Sequence, residues 1–370
     1  MDKTTIGNVP VLTPGDVRKI LYKMYASAIE KNVPLKALPS VMLWGQPGIG
    51  KSQAIHDLAC DLELGLKKRC NVIDVRLILF NPIDLRGIPT ANEDKTLAVW
   101  LKPKIFQMDE SEDVINILFL DEISAAPQSV QAAAYQITLD RMVGEHKLPE
   151  NCIVLAAGNR VTDKSVAYQM PKALANRLLH LEVAVDPDSW HNWAISKGIH
   201  EYILGFLRFK PDCLNTFNPQ DNGIVFATPR SWELASNILN TVSSDFKDVF
   251  DLLAGILGKG LATELRTYTK VYSKLPNIEK IFKGEETKVP KDPDVLYALE
   301  SSMVAYAYHH RDDLDLIRNS ILYANMLPAD YSIVLLKDYL YLEKDYKQKL
   351  LKIPEFMKWL REKGRFLDAI

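Results

Sequence analysis

The chain has 370 residues, of which 47% are hydrophobic and 25% are charged, and its formal net charge is −2. These values exclude wholesale disorder and fit a globular protein of about two domains. The small negative charge gives no global attraction to nucleic acid or to an anionic membrane. No stretch approaches the ~20 consecutive apolar residues of a membrane helix, and the first residues show no signal-peptide pattern, so we expect a cytoplasmic protein.

A helix is predicted first, at residues 13–31, where Thr13 and Pro14 are start signals and apolar residues recur at helical spacing. Five short runs that are apolar on both faces follow as predicted strands. They lie at residues 40–45, 71–80, 114–122, 151–159 and 178–185. Such runs are typical of parallel strands that helices cover on both sides. Residues 1–185 are therefore predicted to form an α/β domain, with a five-stranded parallel sheet sandwiched by helices.

The chain changes character after residue 185, where the strand-like runs end and long amphipathic stretches begin. Their apolar periodicity predicts helices. We interpret residues 186–283 as an all-helical lid domain and residues 284–370 as a helical C-terminal extension. The polar, proline-containing stretch KGEETKVPKDPD is predicted to be a surface loop between helical layers.

The stretch GQPGIGKS, from Gly45 to Ser52, satisfies the pattern GxxxxGK[ST]. It follows the predicted strand VMLW and precedes a helical run, which is the frame that a phosphate-binding loop requires. Small residues let consecutive backbone N–H groups turn toward one anion, and the helix N-terminus adds partial positive charge. Lys51 would reach the β- and γ-phosphates, and Ser52 would be a ligand of Mg²⁺. The predicted nucleotide-binding residues here are Gly45, Gln46, Pro47, Gly48, Ile49, Gly50, Lys51, Ser52 and Gln53.

Two later strands end in polar residues that suit a hydrolytic site. The run INILFLDE ends in Asp121 and Glu122. Asp121 is predicted to hold Mg²⁺, and Glu122 to polarise the water that attacks the γ-phosphate. The run VLAAGN ends in Asn159, whose neutral amide can hydrogen-bond this water or the γ-phosphate. An asparagine after a strand is by itself usually a turn residue, and its order after the other two motifs gives it weight.

Five stretches together carry a resemblance to a known family. In chain order they are GQPGIGKS, FLDEIS, LDRMVGEHKLPENCIVLAAGNR, MPKALANRLLHLEV and ATPRSWELAS. They resemble the AAA+ ATPases, and most closely the MoxR-type branch, often called the AAA_5 group. The resemblance covers roughly residues 15–245 and is strongest from 40 to 185. It implies a P-loop AAA+ fold, ATP and Mg²⁺ as cofactors, ATP hydrolysis, and a homo-oligomeric ring, a hexamer by analogy.

The resemblance also assigns two arginines to catalysis. Arg177, in MPKALANRL, matches the arginine that such proteins present to the ATP of a neighbouring subunit. Arg230, in ATPRSW, matches the sensor 2 arginine, which reaches from the lid to the nucleotide. Arginine suits both roles because its planar, always protonated fork neutralises phosphate charge. The ordinary alternative for Arg177 and for Arg230 is a salt bridge on a helix. Arg141 and Arg160 are rival candidates for the arginine supplied to a neighbour, although their positions in the motifs fit less well.

A hairpin is predicted between the second and third strands, where MoxR-type proteins insert one that often faces the pore or the substrate. TLAVW alternates like a strand and TANED fits a turn, which places this hairpin at about residues 84–104. Trp100 is either a substrate-contacting residue at its tip or a buried core residue.

The work that hydrolysis would drive is a separate question, because a fold and an ATPase site do not identify a substrate. The resemblance favours the remodelling or maturation of a protein client, together with a von Willebrand factor A domain partner. A nucleic-acid-associated motor or defence-system ATPase is an alternative, opposed by the mild acidity and by the lack of a recognisable DNA-binding module. A nucleotide-dependent switch or scaffold with low turnover is the other alternative.

Overall fold

Two units with different secondary structure make up the chain. The computed structural model describes residues 9–160, 163, 170 and 175–363. One unit, here named the sheet unit, comprises the chain up to Val185 together with Asn218–Asn222. The other, the helical unit, comprises Asp186–Phe217 and the chain from Gly223 onward.

A parallel sheet is the centre of the sheet unit. The described strands are, in chain order, β1 (Val11–Leu12), β2 (Val41–Trp44), β3 (Arg69–Arg76), β4 (Ile88–Ala91), β5 (Ala98–Leu101), β6 (Val114–Asp121), β7 (Met142–Val143), β8 (His146–Lys147), β9 (Cys152–Gly158) and β10 (Leu179–Val183). Six of them form the parallel sheet, in the order β1-β10-β2-β9-β6-β3. Five of these six are the predicted strands, so the predicted parallel sheet is confirmed. The two-residue β1 is too short to show a periodicity in the sequence.

Helices cover both faces of this sheet, as predicted. The described α-helices of the sheet unit are α1 (Pro14–Glu30), α2 (Lys51–Leu66), α3 (Pro82–Arg86) and α4 (Gln128–Asp140). In β2, Leu43 packs in a buried cluster with α1 and α2, whereas its neighbour Met42 packs in a second cluster with α3 and α4. This alternation fixes which face of each strand meets which helix layer. Because β2, β6 and β9 are parallel neighbours, their carboxyl ends meet at one edge of the sheet.

Two antiparallel hairpins accompany the sheet. β4 pairs with β5 inside the segment where a hairpin was predicted, and β7 pairs with β8 after α4. Trp100 pairs with Pro89, whereas the turn lies at residues 92–97, so the prediction of Trp100 at the tip was wrong. Its N–H donates to Glu145 Oε1 at 2.9 Å, and its carbonyl oxygen lies 2.7 Å from His146 Nε2. The β7–β8 hairpin therefore binds the backbone of β5 at Trp100, which is partly buried.

The helical unit consists of packed helices, which confirms the helical character predicted after residue 185. Its described α-helices are α5 (Pro187–Ser196), α6 (Glu201–Phe209), α7 (Pro229–Thr241), α8 (Phe246–Leu257), α9 (Lys259–Thr269), α10 (Ile278–Phe282), α11 (Pro293–His309), α12 (Leu314–Ala324), α13 (Ala329–Tyr339), α14 (Lys347–Leu350) and α15 (Pro354–Lys363). Arg208 in α6 donates hydrogen bonds to both carboxylate oxygens of Asp338 in α13, at 2.8 and 2.6 Å. Helices on the two sides of residue 283 thus contact each other, and the predicted subdivision there stays a prediction. Across the described residues, no helix combines the length and the apolarity needed to cross a membrane.

Candidate nucleotide-binding site

The glycine loop between β2 and α2 has a backbone that side chains would disturb. Gly48 and Gly50 have φ angles of 76° and 97°, in the left-handed region that favours glycine. At Gly45, an added Cβ would lie 2.7 Å from a backbone carbonyl oxygen of β10. Ile49 anchors the loop in the core beside α1 and α2. Because α2 begins at Lys51 with no side-chain cap, its first N–H groups remain as donors for an anion.

The other predicted residues of this segment lie around the same loop. Gln46 and Pro47 are in the loop, and Gln53 is in the first turn of α2. The Gln53 side chain donates to Asp57 Oδ1 at 2.9 Å, one helical turn further along. A role of these three residues in nucleotide binding stays a prediction.

The Lys51 side chain joins the loop to the end of a neighbouring strand. Its Nζ donates to the carbonyl oxygens of Gly45 and Gln46 at 2.7 and 2.8 Å, and to Asn159 Oδ1 at 3.1 Å. The residue is only 8% exposed, and burial of an ammonium group is costly unless oxygens solvate it. The contacts therefore hold one positive charge at the mouth of the glycine loop.

Ser52 and Asp121 meet on the other side of the start of α2. Ser52 Oγ donates to Asp121 Oδ2 at 2.9 Å. A hydroxyl and a carboxylate oxygen are the hard oxygen donors that Mg²⁺ prefers, and Mg²⁺ commonly takes few protein ligands beside phosphate and water. The two residues therefore fit a magnesium–nucleotide site, in which phosphate oxygens would complete the coordination.

Glu122 lies in a tight turn directly after β6. Its φ is 58°, a left-handed conformation that is uncommon for a residue with a side chain, and its N–H donates to Asp121 Oδ1 at 2.8 Å. The next N–H, of Ile123, continues the ladder to the Ala157 carbonyl at 3.0 Å. Asp121 thus contacts Ser52, whereas the left-handed turn at Glu122 ends the strand direction there.

Asn159 is held by a residue that the sequence did not single out. Its N–H donates to Ser124 Oγ at 2.9 Å, and its side-chain oxygen accepts from Lys51. Ser124 is buried against Gly158, where an added Cβ would lie 2.7 Å from the Ser124 hydroxyl oxygen. Ser124 therefore ties the turn after β6 to the end of β9. Its position two residues after Glu122 is the only sequence signal for this role.

A further carboxylate near Asp121 was also not predicted. Asp74 lies on β3, which pairs with β6. Burial raises the pKa of Asp74, and the negative charge of Asp121 raises it further, whereas the positive charge of Arg76 opposes the shift. A third carboxyl group, that of Asp74, thus lies near the predicted pair of Asp121 and Glu122.

The two rival arginines are bound inside the sheet unit. Arg141 donates to the carbonyl oxygens of Cys152, Leu35 and Leu38, at 2.8, 3.4 and 3.3 Å, and burial lowers the pKa of its guanidinium. Its side chain thus satisfies backbone groups of the core.

Arg160 forms ion pairs with two acids of its own unit. It contacts Asp163 at 3.0 Å and also pairs with Glu182 of β10, and both acids are buried. The guanidinium of Arg160 is thus bound to acids of its own unit.

The two predicted catalytic arginines are exposed, and their roles stay predictions. Arg177 lies in the turn before β10, two residues after Ala175, whereas residues 171–174 of the same motif lie outside the described residues. Arg230 is the second residue of α7 in the helical unit, where the Thr228 side chain caps the helix. Lys51, Ser52, Asp121 and Asn159 are therefore the predicted residues that direct contacts bring together.

Comparison with known proteins supports the class of this site. Residues 40–180 match the sequence model of the ATPase family associated with various cellular activities (AAA). The matched stretch contains the glycine loop, the Asp121–Glu122 turn and Asn159, and it ends before the helical unit. No curated protein matches the chain. The parallel sheet and its site are thus similar to the nucleotide-binding part of AAA ATPases.

Solved structures show distant overall similarity. A candidate ATPase from Cytophaga hutchinsonii is 18% identical, with 83% of this chain and 87% of that chain covered and a TM-score of 0.30. A mutant of RuvB from Thermotoga maritima is 15% identical, with 80% of this chain and 85% of that chain covered and a TM-score of 0.40. NtrX from Brucella abortus in complex with ATP is 11% identical, with 99% of this chain and 70% of that chain covered and a TM-score of 0.34.

Proposed function

We propose that the chain is a ring-forming, ATP-hydrolysing AAA+ machine of the MoxR type, which remodels or matures a protein client in the cytoplasm. The observation that carries the ATPase assignment is the convergence of three motifs. Lys51 contacts Asn159 at 3.1 Å, and Ser52 contacts Asp121 at 2.9 Å. These residues come from the glycine loop and from the ends of two strands, so one bound triphosphate would meet all of them.

The mechanism assigns a separate task to each residue. The glycine loop and the α2 N-terminus bind the phosphates, and Lys51 neutralises charge on the β- and γ-phosphates. Glu122 accepts a proton from the attacking water, and Asn159 orients that water. Ser52 and Asp121 would hold Mg²⁺, which supplies further neutralisation of phosphate charge when bound.

The contacts of Lys51 suggest how nucleotide binding acts on Asn159. The ammonium group donates to three protein oxygens, and its longest bond, 3.1 Å, is the one to Asn159. Anionic phosphate oxygens compete for these donors because a bond between an ammonium and an anion is stronger than one to a neutral carbonyl or amide oxygen. Exchange of this bond frees the Asn159 amide for the γ-phosphate or the water.

Arg177 is the proposed arginine that one subunit supplies to the ATP of its neighbour. It is exposed, whereas Arg141 and Arg160 are bound to groups of their own unit. Arg230 is the proposed sensor 2 arginine of the helical unit. An arginine supplied from a neighbour makes hydrolysis depend on assembly, which supports a ring, and a hexamer by analogy with the family.

The ring proposal is tested by the phosphate-release rate per subunit over a range of protein concentrations. We expect the rate to rise as size measurements show assembly, and Arg177→Ala to abolish most of the rise while leaving assembly intact. A rate per subunit that is constant from monomer to assembled state would contradict a site shared between subunits.

The client is tested by capture with a hydrolysis-blocked variant. Glu122→Gln keeps the size and shape of the side chain and removes the base, so assembled protein is expected to remain in its ATP-bound state and hold its client. Recovery of a von Willebrand factor A domain protein from the native host, and not with Lys51→Ala, would support the proposed client. Recovery of DNA, together with strong stimulation of hydrolysis by DNA, would replace it with a nucleic-acid motor.

A further inference from the structure

A chain of hydrogen bonds connects the end of β2 with the turn before β10. Trp44, the last residue of β2, donates from Nε1 to His180 Nδ1 at 2.8 Å. His180 Nε2 lies 2.7 Å from the carbonyl oxygen of Ala175. The Trp44 and His180 rings lie side by side and nearly parallel, with centroids 6.0 Å apart and planes 16° apart.

The partners of His180 fix the position of its proton. The indole N–H of Trp44 is a donor only, so Nδ1 of His180 must accept, and the Ala175 carbonyl is an acceptor only, so Nε2 must carry the hydrogen. Both ring nitrogens are therefore used, and the ring is held in one tautomer and one orientation.

The two ends of this chain lie at functionally different places. Trp44 directly precedes Gly45, the first residue of the glycine loop. The Ala175 carbonyl also accepts from the Leu178 N–H at 3.2 Å, and these two contacts close the turn that carries the exposed Arg177. His180 therefore supplies a side-chain support for this turn from inside the sheet unit.

We propose that His180 is a positioning residue for Arg177, and that it holds the turn in the conformation in which Arg177 reaches the ATP of the neighbouring subunit. This inference rests on the proposed supply of Arg177 to a neighbour. Removal of the imidazole leaves the Ala175 carbonyl with one fewer donor and Trp44 without its acceptor. The turn then loses its link to β2, and Arg177 loses part of its orientation.

The test separates the subunit that donates the arginine from the subunit that holds the ATP. In mixed rings, Lys51→Ala subunits lack a working nucleotide site but keep Arg177, and Arg177→Ala subunits keep the site but lack the arginine. Phosphate release that is restored on mixing then comes from interfaces at which the intact nucleotide site of an Arg177→Ala subunit meets the Arg177 of a Lys51→Ala subunit. If mixing restores nothing, Arg177 is not supplied to a neighbour, and the proposal for His180 fails together with this part of the proposed function.

His180→Phe keeps a planar aromatic ring and removes both hydrogen bonds. Placed in the Lys51→Ala donor, it is expected to lower the restored rate about tenfold, as expected for a lost hydrogen bond of a positioned group. Placed in the Arg177→Ala acceptor, it is expected to change the rate less than about twofold. Equal losses in both placements, or a loss only in the acceptor, would overturn the proposal, because His180 would then act on its own glycine loop through Trp44.

A second variant and a control keep the test decisive if phenylalanine disturbs folding. His180→Gln retains an amide that both donates and accepts, and it is expected to recover most of the activity in the donor placement. A glutamine variant with wild-type thermal stability and the low activity of the phenylalanine variant would contradict positioning by hydrogen bonds. His309→Phe, at an exposed position of α11, controls for the same change of residue type and is expected to leave both placements unchanged.

Discussion

Lys51 Nζ donates a hydrogen bond to Oδ1 of Asn159 across 3.1 Å, although the two residues are 108 positions apart in the chain. The bond joins the start of α2 to the end of β9. It exists because β2 and β9 are adjacent parallel strands, so the groups that follow their carboxyl ends share one edge of the sheet. The charge that would bind phosphate and the amide that would sense it are thus in contact.

Lys51→Ala is predicted to weaken ATP binding at least about tenfold, because a charge-assisted contact with the phosphates is lost. Titration with a fluorescent ATP analogue measures the dissociation constant. Lys36→Ala is a matched control, since Lys36 is exposed and pairs with Glu150 away from the loop. Equal affinity of Lys51→Ala and the wild-type chain would remove the glycine loop from nucleotide binding.

Ser124→Ala is predicted to lower kcat about fivefold to tenfold with little change in KM, because the Asn159 N–H loses its acceptor. If Ser124 acts through Asn159, the loss disappears in an Asn159→Ala background, and a double-mutant cycle measures this coupling. Ser40→Ala is a control with similar burial, since the Ser40 hydroxyl donates to the Thr138 carbonyl before β2 begins. If the loss of kcat in the double variant equals the product of the losses in the two single variants, Ser124 does not act through Asn159.

Arg141 and Arg177 are predicted to differ in what they support. Arg141→Ala removes the guanidinium that donates to three backbone carbonyls, so the free energy of unfolding should fall by about 2 kcal/mol or more. Arg177→Ala, at an exposed position, should change it by less than about 0.5 kcal/mol while phosphate release falls. Urea unfolding and phosphate release are measured on the same samples. A loss of stability in Arg177→Ala together with a loss of phosphate release alone in Arg141→Ala would show that the roles assigned to the two arginines are reversed.

His200 is predicted to make stability depend on pH. Burial lowers the pKa of His200 to about 4, and its Nδ1 caps α6 by accepting the Tyr202 N–H. The unfolded chain has a pKa near 6.5 and binds a proton that the folded imidazole does not, so this contribution is present above about pH 7 and is lost as the pH falls toward 4.

Asn is the matched replacement for this test, because it can cap the helix and does not titrate. Between pH 8 and pH 5, the wild-type free energy of unfolding should fall by about 2 kcal/mol more than that of His200→Asn. Urea unfolding at the two pH values gives both differences. Identical pH dependence of the two chains would show that His200 is not held neutral by burial.

The sequence predicted the features that depend on local pattern. Runs apolar on both faces located five strands of the sheet, and the glycine pattern located Lys51 and Ser52, because strand burial and loop geometry constrain neighbouring residues directly. Asp121 and Asn159 were assigned from the order of the three motifs, and Asp121 contacts Ser52 while Asn159 contacts Lys51; their roles stay predictions.

Features that depend on tertiary neighbours could not be predicted in this way. Ser124 matters because β9 ends beside its turn, and its sequence context does not distinguish it from any buried serine. Arg141 resembled a candidate for ATP contact, but its guanidinium meets carbonyls from distant segments. For Trp100 the sequence left two alternatives, a residue at the hairpin tip or a buried core residue, because alternation alone does not locate the turn; the turn closes before Trp100.

The central claim is that Lys51, Ser52, Asp121, Glu122 and Asn159 form a site that hydrolyses ATP. The most direct measurement is single-turnover conversion of bound ATP to ADP in assembled protein, for wild type and Glu122→Gln, with Glu63→Gln at an exposed position of α2 as the control. We predict that all three bind ATP with similar affinity, and that conversion in Glu122→Gln is at least about 100-fold slower than in the other two. Equal conversion in wild type and Glu122→Gln would contradict the assignment of Glu122 as the base and the account of the site.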